Sequence, residues 1–370
     1  MTGFSVSLPD LHGCADQLSI LSNEYDKLGG VVEEVYDDAK NVSDLKSILA
    51  GYTGLLNEPL FLFQEDSDTL ARALCLACDK PMSTSMASTA ERLRKAAKAY
   101  RKQDEAAEAE VAGADPSNEA EKTADAITGG EPNSDWSTDF DTKDYVATDV
   151  DGDVIPDMAF KPTLETTMDT LMTVAEGPSF TSADALIEYI CGFSPAKECV
   201  KPLLGDWGVL WFTANQYRAA ASAVEEIGRI LSAGADMLVG TDWTGDAADG
   251  YARSAAVWDQ ALSQHADLFR RAAVVLDDTA NRMDDEGTVI AEACLTLADL
   301  AVEVVMTLSG RGGMRNAKKL IDDLAFVVPD VMSAIDSFKA FLDLSRIEID
   351  KLVSEIASLN PPGNLHDNNK

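Results

Sequence analysis

Positive charge is what this chain has least of: 30 Lys and Arg stand against 64 Asp and Glu, a formal net charge of -34. The sequence pI is about 4.2. Such a surface repels a phosphate backbone over most of its area, which excludes nucleic acid as a general partner. Proline is also scarce, with 13 in 370 residues. Together with long tracts rich in Ala, Leu and Glu, that scarcity predicts a mostly α-helical chain. The six cysteines are too few to staple a chain of this size, and no His accompanies them at zinc spacing. Cys75 and Cys78 form a CxxC, but "LARALCLACDKPM" reads as the apolar side of a helix, so these thiols are expected as small buried hydrophobes. Cys191 and Cys199 bracket "GFSPAKE", spacing that suits a local disulfide if the protein is exported.

The catalytic vocabulary is thin as well. His12, His265 and His366 have no evident nucleophile or metal partner, and His265 falls on a helix seam, where packing is the expectation. No P-loop, Gly-x-Ser-x-Gly or His-Glu-x-x-His appears, so the chain is not expected to be an enzyme. The N-terminus "MTGFSVSLPDLHGC" lacks the basic region and apolar run of a general secretory signal, so export would need another route. The most apolar stretch, 289 to 308, carries Glu292, Asp299 and Glu303, which argues for a buried or oligomer-facing helix over a membrane span.

What is present is helical periodicity. Leu11, Cys14, Leu18, Leu21, Tyr25, Leu28, Val32 and Val35 alternate spacings of three and four, so a first long helix must pack along its length on a partner. A second tract runs to about residue 112 with Met86, Ala90, Leu93, Ala97 and Tyr100 on one stripe. From 113 to 202 the composition turns acidic and rich in Gly, Pro, Ser and Thr, an expected linker or irregular excursion. A second hairpin follows over 203 to 285, with Trp207, Leu210, Ala214, Tyr217, Ala221, Val224, Leu231 and Leu238 on its first arm. Tyr251, Ala255, Trp258, Leu262, His265, Phe269, Ala272, Leu276, Thr279 and Met283 line the second arm. A C-terminal helical region completes the chain over 286 to 370, its seam running from Val331 through Ile335, Phe338 and Leu342 to Ile349, Leu352, Ile356 and Leu359. The predicted architecture is all-α: an elongated bundle of long antiparallel hairpins with an irregular acidic excursion between the halves.

Two short motifs stand out on this frame. In "AAKAYRKQDEAAE", Tyr100 and Asp104 lie four apart and so share a helix face. In "TDWTGDAADGY", Trp243 and Gly245 lie at the bend between two helical runs. Gly245 supplies the backbone freedom of a tight bend, and Asp242 or Asp246 suits the start of the next helix.

The first hairpin with its Tyr-x-x-x-Asp resembles the N-terminal hairpin of substrates of type VII (ESX) secretion systems. The second resembles the Trp-x-Gly hairpins of the same systems. Both in one chain, in this order, is the pattern of EspB-like secretion-associated proteins, which fuse a PE-like or EspC-like half to a PPE-like or EspA-like half. The resemblance covers residues 1 to 112 and 203 to 285. It implies that Tyr100 and Asp104 form the export signal and that Trp243 and Gly245 form the bend motif. It further implies a secreted or envelope-associated structural or interaction protein, read by a secretion ATPase or cytosolic chaperone, that forms a homo-oligomer and contacts phospholipid. On that reading the two motifs make one composite surface, with the indole displayed at the bend. The chain lacks the glycine- and proline-rich tail of EspB-like proteins and carries an apolar helix and a heptad region instead.

A third string, "DVDGDVIPD", places Asp149, Asp151, Asp153 and Asp157 as hard oxygen ligands at alternate positions and resembles calcium loops of extracellular repeats. The expectation there is a solvated acidic loop, with a calcium site as the alternative. Two rival functions therefore stand beside the first: a secreted effector enzyme, and a calcium-dependent envelope protein. In so acidic a chain, lipid contact would fall to local basic runs such as "RLRKAAKAYRK" and "RGGMRNAKK".

Overall fold

Stripes of apolar residues spaced three and four apart can be buried only by another helix, and among the described residues seven helices share one core. The computed structural model describes residues 7–42, 64–78, 81–112, 136, 140–146, 178–194, 208–239, 243–309 and 314–358. The helices are α1 (Leu8–Val42), α2 (Gln64–Cys78), α3 (Pro81–Ala112), α4 (Pro178–Cys191), α5 (Gly208–Leu238), α6 (Asp246–Ser309) and α7 (Met314–Ser358). No strand occurs among the described residues, and the fold class is all-α.

The cross-links give the directions of the helices. Ser22 donates to the Ser83 carbonyl at 2.7 Å while Arg94 reaches Asp16 at 2.7 Å, so α1 and α3 run antiparallel. Arg218 pairs with Asp277 at 2.8 Å and Arg270 with Glu225 at 2.5 Å, so α5 and α6 are antiparallel too. Cys14 meets Tyr251 and Tyr25 meets His265, which sets α1 alongside α6 in the same direction and joins the two hairpins. α7 folds back on α6: Arg271 binds Glu355 at 2.6 Å and the Arg282 guanidinium lies 4.4 Å over the Phe341 ring. α2 lies between α1 and α7, tied to the latter by Arg346 and Asp66 at 3.0 Å, and α4 packs on α6.

The seams read from the sequence are buried. Leu11, Cys14, Leu18, Leu21, Tyr25, Leu28 and Val32 are all at most 2% exposed, and below Val32 the seam passes to Tyr36. Every residue named on the second arm, Tyr251 through Met283, is buried, His265 and Thr279 included.

The structure sharpens three expectations. At residue 285 there is no break in the helix: α6 runs unbroken for 64 residues, about 96 Å, through it. Of the two alternatives for 289 to 308 the buried one holds within this chain: α7 and α4 pack on α6, and Ile290, Cys294, Leu297, Ala301 and Val304 join the same core as Leu11. The excursion is not merely a linker, because Trp136, Phe140, Val146, Ile187 and Phe193 belong to that core. α7 also begins earlier than its heptads suggested and passes through Pro329. Pro329 and Ala325, whose carbonyl loses its helical partner there, are both exposed, so water can satisfy that carbonyl. Cys191 is a free thiol, so no local bridge to Cys199 forms, while Cys294 is disulfide-bonded.

Candidate functional site at the hairpin end

The bend of the second hairpin is built by one residue that only glycine suits. Gly245 has φ of 112°, a region L side chains avoid, and its carbonyl accepts the Asp249 amide at 3.0 Å. Gly245 therefore occupies the cap position of α6, and Asp246 and Asp249 sit in the first turn, where carboxylates suit the positive end of the helix. Asp246 is thus a first-turn residue and not the cap; Asp242 lies outside the described residues.

Trp243 is not displayed. It is 3% exposed, next to Val239 across the bend, and its ring centroid lies 6.1 Å from that of Tyr251. Tyr251 stacks edge-on against Trp258 at 6.4 Å, and Trp258 donates its indole N–H to Ser85 Oγ at 3.3 Å. Cys14 Sγ lies 3.0 Å from the Tyr251 hydroxyl, and burial pushes that thiol up to about 12, so it is inert as a nucleophile. A ladder of three aromatics thus joins the bend to α1 and α3. The expectation of an exposed indole is overturned for a physical reason: an aromatic of this size at a junction of three helices gains most by being covered. Its fully buried N–H has no acceptor among the described residues.

Tyr100 lies half-buried against the same core. Its level on the bundle follows from the Trp258–Ser85 bond: fifteen residues separate Ser85 from Tyr100 along α3, and fifteen separate Trp258 from Trp243 in the opposite sense. Since α3 and α6 are antiparallel, both counts lead about 22 Å toward the same end. The two motifs, 143 positions apart in sequence, therefore lie at one end of the molecule. The chain around Tyr100 is helical and remains so to Ala112. Asp104 lies on this helix, one turn from Tyr100; its side chain is outside the described part. Arg92, Lys95, Lys98 and Lys102 are exposed along α3 beside them, a local basic strip on an acidic protein.

A further element at this end escaped the sequence reading. Residues 136 and 140–146 form a strap across α1 and α5. The Trp136 indole N–H reaches the buried Asp10 carboxylate at 3.2 Å, and the ring lies over Gly13 and Gly234. Phe140 stacks with Tyr145 at 5.5 Å. Thr142 donates its amide to Glu24 Oε2 at 3.0 Å and its hydroxyl bonds the Glu24 backbone carbonyl at 3.0 Å. Burial alone would raise the Glu24 carboxyl, but hydrogen bonds from Lys27 and Thr142 outweigh it and hold the group below its ordinary value. The signal was an aromatic series, Trp136, Phe140 and Tyr145, inside an otherwise polar acidic stretch.

Asp149, Asp151, Asp153 and Asp157 lie outside the described residues; among those described, no group of His, Cys, Asp and Glu is placed to hold a metal ion. No described helix is long and apolar enough to cross a membrane. Comparison with family models, curated proteins and solved structures returned no match.

Proposed function

We propose that this chain is a substrate of a type VII (ESX) secretion system that acts outside the cytosol as a structural or interaction protein. Its export mark is Tyr100 and Asp104, at the same end of the bundle as the Trp243–Gly245 bend. The supporting observation is that antiparallel packing brings the two motifs to the same end of one bundle although they lie on different hairpins. The reader of that end, a secretion ATPase or a cytosolic chaperone, would meet a half-buried tyrosine on a basic helix face, with a rigid bend at the same end.

The burial of Trp243 changes which variants are informative. Trp243→Ala removes a core side chain, and loss of export would then report unfolding as readily as loss of recognition. Tyr100 is only half-buried and Asp104 lies one turn farther along α3, so Tyr100→Ala and Asp104→Ala separate the two. The expected outcome in a secretion assay is loss of export for Tyr100→Ala with an unchanged melting temperature of the purified protein. Undiminished export of both variants would sink the proposal. Self-association and contact with phospholipid through the Arg92–Lys102 strip belong to the same reading. Vesicle binding that vanishes when the four strip residues become Gln would support the lipid part.

A further inference from the structure

The strap is keyed into the bundle by an indole resting where two glycines leave room. A Cβ at Gly13 would lie 2.7 Å from Nε1 and 2.8 Å from Cγ of Trp136, and one at Gly234 would meet Gln17 Oε1 first and lie 3.0 Å from Cζ3 of the same indole. Gly30, equally interior to α1, faces nothing within 4 Å, so glycine by itself is not the signal. What distinguishes positions 13 and 234 is the ring standing where a side chain would begin. The slot has one wall from each hairpin, α1 and α5, with the Asp10 carboxylate as its acceptor. Glu24, the acceptor for Thr142, lies about 16 Å farther along α1 from Gly13.

We propose that this slot and the α1 face from it to Glu24 form a binding site for the strap sequence, and that the strap of a second copy occupies it in place of the chain's own, so that two copies associate by exchanging straps. The occupant's chemistry is fixed, because the slot already accepts this sequence: an indole, a phenyl ring four residues on, and a threonine that bonds a carboxylate. The tether permits it. Twenty-three residues separate Ala112 from Trp136, a span of up to about 75 Å when extended, and 31 separate Val146 from Pro178. A strap makes the same contacts in its own slot or in a partner's, so exchange adds only the entropy of association and the repulsion of two chains of net charge -34. High protein concentration and high salt therefore favour the exchanged dimer. This deepens the self-association part of the reading above and needs nothing of the export part.

The experiment uses two full-length variants, each confirmed folded by circular dichroism. Trp136→Ala/Phe140→Ala has an open slot and no plug; Gly13→Ala has a plug and a blocked slot. Size-exclusion chromatography with light scattering at about 100 µM and high salt should show each alone as a monomer. Their mixture should give a 1:1 heterodimer, twice the 39.6 kDa chain mass. A mixture that stays monomeric overturns the proposal, as does a heterodimer that persists when the Gly13→Ala chain also loses Trp136 and Phe140. Should Gly13→Ala fail to fold, a synthetic peptide spanning residues 134 to 148 is titrated onto the plug-less variant with and without Gly30→Ala or Gln17→Ala. Saturable binding unaffected by Gly30→Ala supports the site, and no binding overturns it. Both measurements use purified protein, so their failure leaves the export reading standing, and a failed export assay leaves this one standing.

Discussion

The two halves of α6 are held by different chemistry. From Asp246 to Met283 the buried face carries Tyr251, Trp258, His265 and Phe269, each engaged by a named group: Cys14, Ser85, Tyr25 and the Tyr217 ring at 6.0 Å. From residue 284 to Ser309 the helix has no aromatic residue, and its core face is Ile290, Ala291, Cys294, Leu297, Ala301 and Val304. An aliphatic seam favours any register that keeps it covered, whereas an indole N–H aimed at one hydroxyl has a single register. In the second half a covalent bond at Cys294 supplies the constraint that polar contacts supply in the first.

The comparison can be broken at its strongest point first. Trp258→Ala empties a fully buried site in the keyed half and should cost about 3–5 kcal/mol, read from urea unfolding. A cost under about 1 kcal/mol would show that the ladder is not what fixes that half. Reduction of the Cys294 disulfide should remove about 2–4 kcal/mol. Hydrogen exchange should then rise in 284–309 and along α7 while 246–283 keeps its protection. Uniform loss of protection would mean that the halves do not behave separately.

His265 gives the keyed half a pH dependence. Burial lowers its pKa from 6.5 to about 4, so the folded state holds the ring neutral against Tyr25, while the unfolded chain takes up a proton near 6.5. The contribution is fully present above about pH 6.5, and is lost as pH falls toward 4. At pH 5 the loss is about 2 kcal/mol. His265→Gln should flatten that part of the stability profile between pH 7 and 5, and an unchanged slope would refute the assignment. The smallest effect belongs to the exposed pair Arg271–Glu355 between α6 and α7. Arg271→Ala should cost no more than about 1 kcal/mol and less still at high salt, by thermal melting.

Much of the fold was legible because helical periodicity survives in a single sequence: Leu11 to Val32 and Tyr251 to Met283 were readable as stripes, and both are buried. Division at 285 was not legible, since a change in hydrophobic composition does not end a helix that has Gly287 but no cap or proline there. The fate of Trp243 was misread for a related reason. Sequence places it at a bend, but its burial depends on Val239 across the bend and the Tyr251 ring beside it. Trp136 was missed because a strap has no period; its partners, Gly13 and Gly234, lie on two other helices.

The sequence alone determined the all-α class, the seams and the bend at Gly245, because each depends on residues within a few positions of one another: a three-and-four spacing or a positive φ. Tertiary structure alone decided that Tyr100 and Trp243 share an end, that the indole of the bend is hidden, and that a strap from the acidic stretch joins the two hairpins. Those outcomes depend on which helices lie side by side, a choice made by the summed burial of long faces and by a few polar keys between residues more than a hundred positions apart.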